Sequence, residues 1–561
     1  MPEIVSRLVD EAACERLAAS GCAPRLARIY AARGLASAEE LATTLQALVE
    51  PARLSHVAEA ACLLADAIER RERLLIVADY DADGATACAV GVKALRAMGA
   101  SVDYLVPNRF EHGYGLTPEI AREAAKRAPH WLITVDNGIA AVEGIAEANR
   151  LGMRVLVTDH HLPGAEEPGA ACIVNPNQAG CGFPSKSLAG VGVIFYVMLA
   201  LRAELRRRGT FGASAGPNLA EVLDLVALGT VADVVRLDGN NRILVAQGLA
   251  RIRAGRACPG IAALLEVAGR SARNVSAQDL GFAVGPRLNA AGRLQDMSLG
   301  IECLLATDAA RALELATQLD KLNRERRDIE GEMQQSALEL VANIEAAETY
   351  SMALHSAEWH AGVVGLLASR LKDRFHRPVF AFAADGHGKL KGSGRSVPGL
   401  HLRDALDLVS KRMPGLLERF GGHAAAAGVT LAADRLEAFR SAFEAVAREQ
   451  LTPADLQRRI EVDGALDPDE MGFELAEELR GQVWGQGFPE PRFAGEFRVE
   501  NQRVVGEKHT RATLSLGPRR FAAIRFGSAD PLPATIQVVY KLDVNEFQGT
   551  SSLQLVIDHV E

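Results

Sequence analysis

Apolar positions along the chain fall into two rhythms. From residue 74, short continuous apolar runs alternate with segments of helical period. RLLIVADYDADG is followed by ATACAVGVKALRAMG, then VDYLVP, a helix from Thr117, WLITVDNG, a helix over 140–151, MRVLVTDHH and ACIVNP. Apolar strands separated by helices of about 10–15 residues predict a parallel sheet with helices on both faces. A helix over 56–71 (HVAEAACLLADAIERR) leads into the first strand, and residues 1–55 read as short helices without chemistry. Between 300 and 345, ELATQLDKLNRERRDIEGEMQQSALELV is polar and charged at helical spacing, which predicts a long exposed helix between two domains.

A second, smaller α/β region runs over about 350–450, with MALHSAEWHAGVVGLLASRL, the strand PVFAFAA and GGHAAAAGVTL. Residues 455–490 hold ten acids and three arginines with Pro and Gly interspersed, and read as a junction. Beyond 490 the second rhythm sets in: about five short strands in 70 residues, separated by turn residues. That pattern predicts a small β-barrel, with the OB-fold as the leading candidate. The division is therefore an N-terminal helical segment (1–55), an α/β domain (56–300), a connecting long helix (301–345), a smaller α/β domain (346–452) and a C-terminal barrel (453–561).

With 561 residues, 48% of them hydrophobic and 24% charged, the chain has ordinary multidomain globular composition, and wholesale disorder is excluded. Its net charge of -9 argues against a protein coated in basic charge, although a local basic groove can sit on an acidic protein. No window approaches the roughly 18 apolar residues of a membrane span, and the acid-bearing N-terminus lacks the apolar core of a secretory signal. The eight cysteines form no CxxC pair, against a zinc site or a disulfide scaffold. The expectation is a reduced, soluble, cytoplasmic protein.

Chemistry collects at the strand ends. Asp79, Asp81 and Asp83 follow the first apolar strand; Asp136, with Asn137-Gly138, follows Leu132–Val135; Asp159, His160 and His161 follow Val155–Thr158. Asp233 ends LDLVALGTVADVV, which reads as a helix running into a loop. In an open parallel sheet, the carboxyl ends of the strands line the ligand crevice. Clustered carboxylates repel unless cations neutralise them. A carboxylate-rich site with a single imidazole suits Mn²⁺ or Mg²⁺ better than zinc. Two such ions a few ångströms apart can activate water and hold both oxygens of a phosphoryl displacement. Any one Asp after a strand is most often a turn former or helix cap. Three acids at alternate positions, an Asp-Asn-Gly and an Asp-His-His, each closing its own strand, are far more specific together.

DYDADGATA (79–87), VDNG (135–138), TDHH (158–161) and GTVADVV (229–235) resemble the four motifs of the DHH phosphoesterase superfamily. VPNR (106–109), GPRLNAAGR (285–293) and GGHAAAAG (421–428) narrow the resemblance to its bacterial single-strand-specific 5′→3′ exonucleases. The resemblance implies a parallel-sheet DHH domain, a long helix, a DHHA1-type domain and an OB-fold. It further implies two divalent cations, Mn²⁺ or Mg²⁺. One would be held by Asp81 and Asp136, and the other by Asp83, Asp136, His160 and Asp233, with Asp136 bridging. Asp79 takes the first place of the motif; relatives with a His-x-x-x-Asp-x-Asp start carry an imidazole where this chain has Val77. His161 would face the scissile phosphate, and Asp159 would orient its neighbours.

Arg109, in a Pro-Asn-Arg turn, can reach the crevice, and Arg287, Asn289 and Arg293 form a compact donor cluster suited to phosphate oxygens. In GSGRS (392–396), Ser393 and Arg395 lie beside glycines that let a backbone approach a phosphate, and the resemblance makes this the grip on the 5′ end. Gly421, Gly422 and His423 form a further loop facing the cleft; on residues alone, Gly-Gly-His reads as a turn opening a helix. Residues 498–525 carry seven Lys/Arg and two Glu, a local +5, with Phe497, Phe521 and Phe526 among them. Basic grooves with aromatic platforms bind single strands, while filling the barrel core is the expected role for at least two of these rings.

The function implied is a metal-dependent exonuclease that releases 5′-mononucleotides from single-stranded DNA with a 5′ end, in recombination and repair. Single-strand-binding protein and a RecQ-type helicase are the implied partners, the chain acting as a monomer. The alternatives are a DHH phosphodiesterase for short oligonucleotides or cyclic dinucleotides, whose chains are typically shorter and lack the barrel, and a catalytically dead scaffold, in which the metal-binding acids are eroded.

Overall fold

The computed structural model describes residues 2–108, 115–342, 349–547 and 550–561. Its chain divides into two compact units, Ser6–Asp320 with Glu461–Glu561, and Met1–Val5 with Lys321–Ile460.

The larger unit is built on five parallel strands: β1 (Arg73–Ala78), β2 (Ser101–Leu105), β3 (Trp131–Val135), β4 (Arg154–Thr158) and β5 (Cys172–Val174), in the order β2-β1-β3-β4-β5. The connecting helices are α1 (Ala82–Ala97), α2 (Pro118–Ala125) and α3 (Val142–Arg150), and α4 (Gly190–Arg207) and α5 (Leu223–Ala232) follow β5. Alternate strand residues serve the two faces. Leu75, Val77, Leu132, Val155 and Val157 pack with Ile120 of α2 and Ile145 of α3. On the other face, Gly91 of α1 lies against Ile76 and Ile194 of α4; a Cβ there would stand 2.9 Å from Ile76. Chain order reverses between β1 and β3, so their carboxyl ends form the switch point where this topology opens a crevice. Helix α6 (Gly285–Leu294) carries the GPRLNAAGR motif, entered through a π-helical turn at Leu280–Val284.

Helix α7 (Ala309–Val341) runs 33 residues. It departs from the exposed helix expected. Ala312, Leu315, Ala316, Leu319, Leu322, Met333, Ala337 and Val341 are buried along one stripe, and Asp320, Asn323, Arg326 and Glu330 are buried with them. These polar members pair with one another and with neighbours: Asp320 with Arg287 at 2.8 Å, Glu330 with Arg326 and Arg370, and Asn323 Oδ1 with Arg326, while Asn323 Nδ2 and Arg326 Nε stay buried without a hydrogen bond.

In the smaller unit, β6 (Met352–His355), β7 (Val379–Ala384), β8 (Lys389–Arg395), β9 (Arg419–Gly422) and β10 (Ala426–Ala432) form a mixed sheet in the order β9-β10-β8-β7-β6, with α8 (Val364–Phe375), α9 (Leu402–Arg412) and α10 (Leu436–Gln450). Its core is a phenylalanine cluster: Phe380 and Phe382 meet Phe439 of α10 edge-on, each at 5.3 Å.

The C-terminal strands β11 (Phe493–Val505), β12 (His509–Leu516), β13 (Arg519–Arg525), β14 (Thr535–Phe547) and β15 (Thr550–Val560) close into a barrel in the order β11-β12-β13-β15-β14, with β13 and β15 parallel. Phe497 sits in its core, edge-on to Phe521 at 6.3 Å and to Tyr540 at 5.4 Å. The N-terminal helices Glu11–Ala19 and Pro24–Ala31 anchor the segment that leads into this barrel. Arg33 pairs with Asp463 at 2.6 Å, both side chains almost wholly buried, and donates to the Pro489 carbonyl. Tyr30 packs against both Trp484 and Phe488, which also stack on each other. No helix among the described residues is long and apolar enough to cross a membrane.

Candidate metal centre

Sheet register builds the site. Ala78 pairs with Val135 and Val135 with Thr158, so the strands end level. The next residue of each continues the ladder: Asp79 N–H donates to Val135, Asp136 N–H to Thr158 and Asp159 N–H to Val174. Three acids therefore stand in a row one step past β1, β3 and β4. Asp136 holds a left-handed backbone, φ +61°, a conformation that L-residues keep only when their surroundings impose it.

Donor atoms converge on three overlapping groups, each within 4.8 Å: Asp79, Asp81 and Asp136; Asp83, His160 and Asp233; Asp136, His160 and His161. The six residues expected to bind metal thus come together, Asp79 among them, whereas Val77 lies in the apolar core. Asp81 caps α1, accepting from Asp83 N–H and Gly84 N–H. Asp83 accepts from the first N–H groups of α4, Gly190 at 2.7 Å and Val191 at 2.9 Å, a favourable place for an anion.

Glycines make the close approach possible. A Cβ on Gly190 would lie 2.6 Å from Asp136 Oδ1, and one on Gly229 would lie 2.1 Å from Thr86 Oγ1 and 2.8 Å from Asp83 Oδ1. A Cβ on Gly292 of α6 would strike the Tyr80 carbonyl at 1.9 Å, and Asn289 Oδ1 accepts from Ala82 N–H. The GPRLNAAGR helix therefore packs on the loop of the first acids. Its Arg287 was expected as a free phosphate donor; instead it is buried and held by Asp320 and the Ala283 carbonyl. Arg293, half-buried, ends the helix. Arg109 lies outside the described residues.

Charge is unbalanced. Burial, followed by repulsion from Asp233 and Asp81, drives the Asp83 carboxyl well above its usual range. Asp136 is driven up likewise, by burial and by Asp83. Burial and Asp81 push Asp233 up to about 7. His160 falls to about 4 through burial and the neighbouring His161, so its ring is neutral. Its Nε2 is buried without a hydrogen bond, 3.1 Å from Asp136 Oδ1 and 3.5 Å from Asp233 Oδ2. A neutral imidazole lone pair aimed between carboxylates that cannot all ionise together is the donor set of a divalent cation.

His161 differs. Its Nδ1 is 2.8 Å from Asp159 Oδ1, and although burial works against the charge, that hydrogen bond raises the imidazole to about 9. The same bond, against burial, holds the Asp159 carboxyl below its usual range. Asp159 also accepts from Ile139 N–H, His160 N–H and His161 N–H. Asn175 donates to the His161 carbonyl and Asn177 to that of His160, fixing the loop from behind. These two asparagines and Gly190 were not singled out from sequence; Gly229 and Asn137, whose amide ties the ends of β1 and β3, were read there only as motif members. The Asn-Pro-Asn after β5 is the signal that could have found the first two.

The phosphate-site residues of the smaller unit also come together. Along β8, Gly392 and Gly394 face inward and Ser393 and Arg395 outward. The glycines thus serve packing: a Cβ on either would strike the ring of Phe382 or Phe380 at 2.4 Å. Ser393 and Arg395 stand at the first turn of α8, where a Cβ on Gly365 would meet them at 3.0 and 3.1 Å. Arg395 donates to Ser393 Oγ and the Gly394 carbonyl, and burial lowers its pKa. Gly421, Gly422 and His423 turn the β9–β10 hairpin, not the start of a helix; Gly422 has φ +141°, and His423 N–H donates to Ala426. Ala426 pairs with Arg395, so hairpin and arginine share one end of the sheet.

On the barrel, Arg503 and Arg511 are direct cross-strand neighbours, an arrangement that costs stability unless an anion lies over it. Phe497 and Phe521 are buried, while Phe526 is 59% exposed.

Residues 73–230 match the model of the DHH family, N-terminal domain, residues 346–449 that of the DHHA1 domain, and residues 462–559 that of the RecJ OB domain. The single-stranded-DNA-specific exonuclease RecJ of Escherichia coli is 51% identical over 96% of this chain and 96% of its own length. The chain belongs to the RecJ family. RecJ of Bacillus subtilis is 34% identical over 95% of this chain and 67% of its own. Among solved structures, RecJ of Thermus thermophilus in complex with Mn²⁺ has a TM-score of 0.83 at 31% identity, covering all of this chain and 79% of that one. Its complex with Mg²⁺ gives 0.77 at 30% identity, covering all of this chain and 78% of that one. That RecJ structures hold Mn²⁺ and Mg²⁺ agrees with the donor set found here.

Proposed function

We propose that the chain is a metal-dependent exonuclease that hydrolyses single-stranded DNA from its 5′ end and releases 5′-mononucleotides. The observation that carries this reading is the row of strand-end acids with a buried neutral His160 between them, in a chain of the RecJ family. Asp79, Asp81 and Asp136 would hold one divalent cation, and Asp83, Asp136, His160 and Asp233 would hold the other. When bound, Mn²⁺ or Mg²⁺ supplies positive charge to the transferring phosphoryl group and eases deprotonation of water.

The remaining roles belong to side chains. Asp159 holds His161 by Nδ1 and leaves Nε2 to donate to a phosphate oxygen or to the departing 3′ oxygen. Arg287 and Asn289 brace the first acidic loop through α6. Ser393 and Arg395, at the N-terminus of α8 beside the Gly421–His423 hairpin, grip the terminal 5′-phosphate. Arg109 and Arg293 complete the phosphate contacts. The enzyme works as a cytoplasmic monomer in recombination and repair, on strands presented by a helicase of RecQ type or coated by single-strand-binding protein.

The test uses purified protein with Mn²⁺ on 5′- and 3′-labelled single strands, duplexes and short RNA. Mononucleotide released from the 5′ end alone, and lost in Asp136→Ala, supports the reading. Equal degradation of blunt duplex, or activity that persists in chelator, overturns it.

A further inference from the structure

The open face of the smaller sheet carries more positive charge than one terminal phosphate needs. Burial alternates along β8, so Lys389, Lys391, Ser393 and Arg395 stand on one face at steps of about 6.8 Å. Register lays out the rest of that face. Ser393 pairs with Gly428 and Gly428 with Gly421, one row across the sheet; Lys391 pairs with Thr430 and Thr430 with Arg419, the next row. Two of these positions are glycines that the fold itself does not demand. Neither Gly421 nor Gly428 has a positive φ. A Cβ on Gly421 would meet nothing within 4 Å, and one on Gly428 only the Gly392 carbonyl at 3.9 Å. Glycine weakens a strand, and where neither backbone nor packing requires it, it marks a close approach by a ligand.

The cations around this bare floor are uncommitted. Lys391 and Arg419 are exposed, and neither they nor Arg395 form an ion pair among the described residues. The acids of the neighbourhood are engaged: Glu418 pairs with Lys389 at 2.6 Å, and Asp385 accepts from His387 N–H and Lys389 N–H. Arg395, which bonds only Ser393 Oγ and the Gly394 carbonyl, already answers one phosphate. Lys391 and Arg419 answer further anionic groups on the same side of that phosphate. A strand held by its 5′ end has no nucleotide there. What can extend beyond the terminal phosphate is more phosphate.

We propose that Lys391, Arg419 and the floor of Gly421 and Gly428 form a subsite for the β- and γ-phosphates of a 5′-triphosphorylated strand end, its α-phosphate lying at Ser393 and Arg395. The inference rests on the reading of Ser393 and Arg395 as the grip on the 5′-phosphate. Such an end would be cut without prior trimming. The water oxygen bonds to the phosphorus between the first two nucleosides, and the 3′ oxygen of the first leaves and takes up a proton. The first product is then a nucleoside 5′-triphosphate, and later cuts give monophosphates.

The test uses the full-length protein with Mn²⁺ on dT20 bearing a 5′-triphosphate or a 5′-monophosphate. Wild type should take the triphosphate with a KM no higher than for the monophosphate, and dTTP should be the first product. Lys391→Ala and Arg419→Ala should each raise KM on the triphosphate about tenfold, with kcat and all values on the monophosphate unchanged, and Lys391→Arg should restore most of the loss. Gly428→Val should keep the wild-type Tm and raise KM on the triphosphate more than on the monophosphate. A wild type that disfavours the triphosphate tenfold or more, or alanine variants that lose equally on both ends, overturns the proposal. So does ATP that binds wild type more tightly than the triphosphorylated strand and loses that binding in Lys391→Ala, since the subsite would then serve free nucleotides. Wild-type protein that degrades neither strand would instead overturn the exonuclease reading, and Arg395→Ala with its preference for a 5′-phosphate intact would overturn the grip. In either case, anisotropy of labelled triphosphorylated dT20 across the Lys391 and Arg419 variants still decides this one.

Discussion

Replacing Gly190 with alanine probes the packing that brings the carboxylates together. The added Cβ would lie 2.6 Å from the Asp136 Cβ and Oδ1 and 2.7 Å from its Cγ, nearly 1 Å inside ordinary contact. Asp136 cannot yield, since it is 1% exposed and its backbone is pinned in the left-handed region. The start of α4 must retreat instead, stretching the two N–H bonds from Gly190 and Val191 to Asp83. Overpacking of this kind costs about 1–3 kcal/mol, and each hydrogen bond to a charged acceptor about 1.5–3 kcal/mol if lost. We expect a destabilisation of about 3 kcal/mol and, because Asp83 loses its orienting donors, a Mn²⁺ affinity reduced about 10–100-fold. Gly192→Ala is the control: its Cβ would meet only the buried Leu188 side chain, Cδ1 at 2.5 Å and Cγ at 2.9 Å, so it overpacks the same helix without touching a carboxylate. Thermal unfolding and Mn²⁺ titration calorimetry on the two variants decide the matter. A Gly190→Ala protein with wild-type Tm and Mn²⁺ affinity, or a Gly192→Ala protein equally impaired in metal binding, would refute the reasoning.

Asp159→Asn should lower kcat about 10–100-fold with Mn²⁺ affinity within a few-fold of wild type, since Asp159 orients His161; steady-state kinetics at saturating Mn²⁺ would expose an unchanged kcat. Because the Asp233 carboxyl is pushed up to about 7 by burial and Asp81, metal-free protein below that pH carries a proton that the cation must displace. Mn²⁺ affinity should therefore fall about tenfold per pH unit for each proton displaced; calorimetry at pH 6 in two buffers of different ionisation enthalpy reads the proton release, and a zero count contradicts it. Arg395→Ala should erase the preference for a 5′-phosphate over a 5′-hydroxyl while leaving metal binding intact, which competition between the two ends would show. Arg33→Met leaves Asp463 buried and uncompensated and should cost about 3–5 kcal/mol, most of it recovered in Arg33→Met/Asp463→Leu. Urea unfolding of the three proteins measures this, and a single variant as stable as wild type would remove the pair from the fold's foundations.

Much of this molecule is legible in its sequence because its strands are unambiguous. A parallel sheet buried on both faces writes apolar runs such as LLIV and WLITV, and acids just past such runs must sit at the crevice. What stayed hidden is what periodicity cannot carry. The buried stripe of α7 includes Asp320, Asn323, Arg326 and Glu330, so polar residues occupy core positions and the helix reads as exposed. Arg287 looked like a phosphate donor because its partner, Asp320, lies 33 residues away in sequence. Gly392 and Gly394 looked like a phosphate loop, although their purpose is room for two phenyl rings on the neighbouring strand. The first 55 residues carried no motif because their work is long-range: their partners include Tyr196, Asn240, Arg242 and Gln247 and, beyond residue 460, Asp463 and Trp484.

That long-range clamp has a consequence for how the protein is made. Arg33 leaves the ribosome 430 residues before Asp463 does. At about 5–20 residues per second, the N-terminal helices wait roughly 20–90 s for the segment they anchor. Throughout that interval Arg33 and the Tyr30 ring lack the partners that bury them. The catalytic sheet can complete itself while its own strands emerge, but the mooring of the barrel closes only when synthesis is nearly over. Assembly therefore runs from the middle of the chain outward, with the oldest and the newest residues joining last.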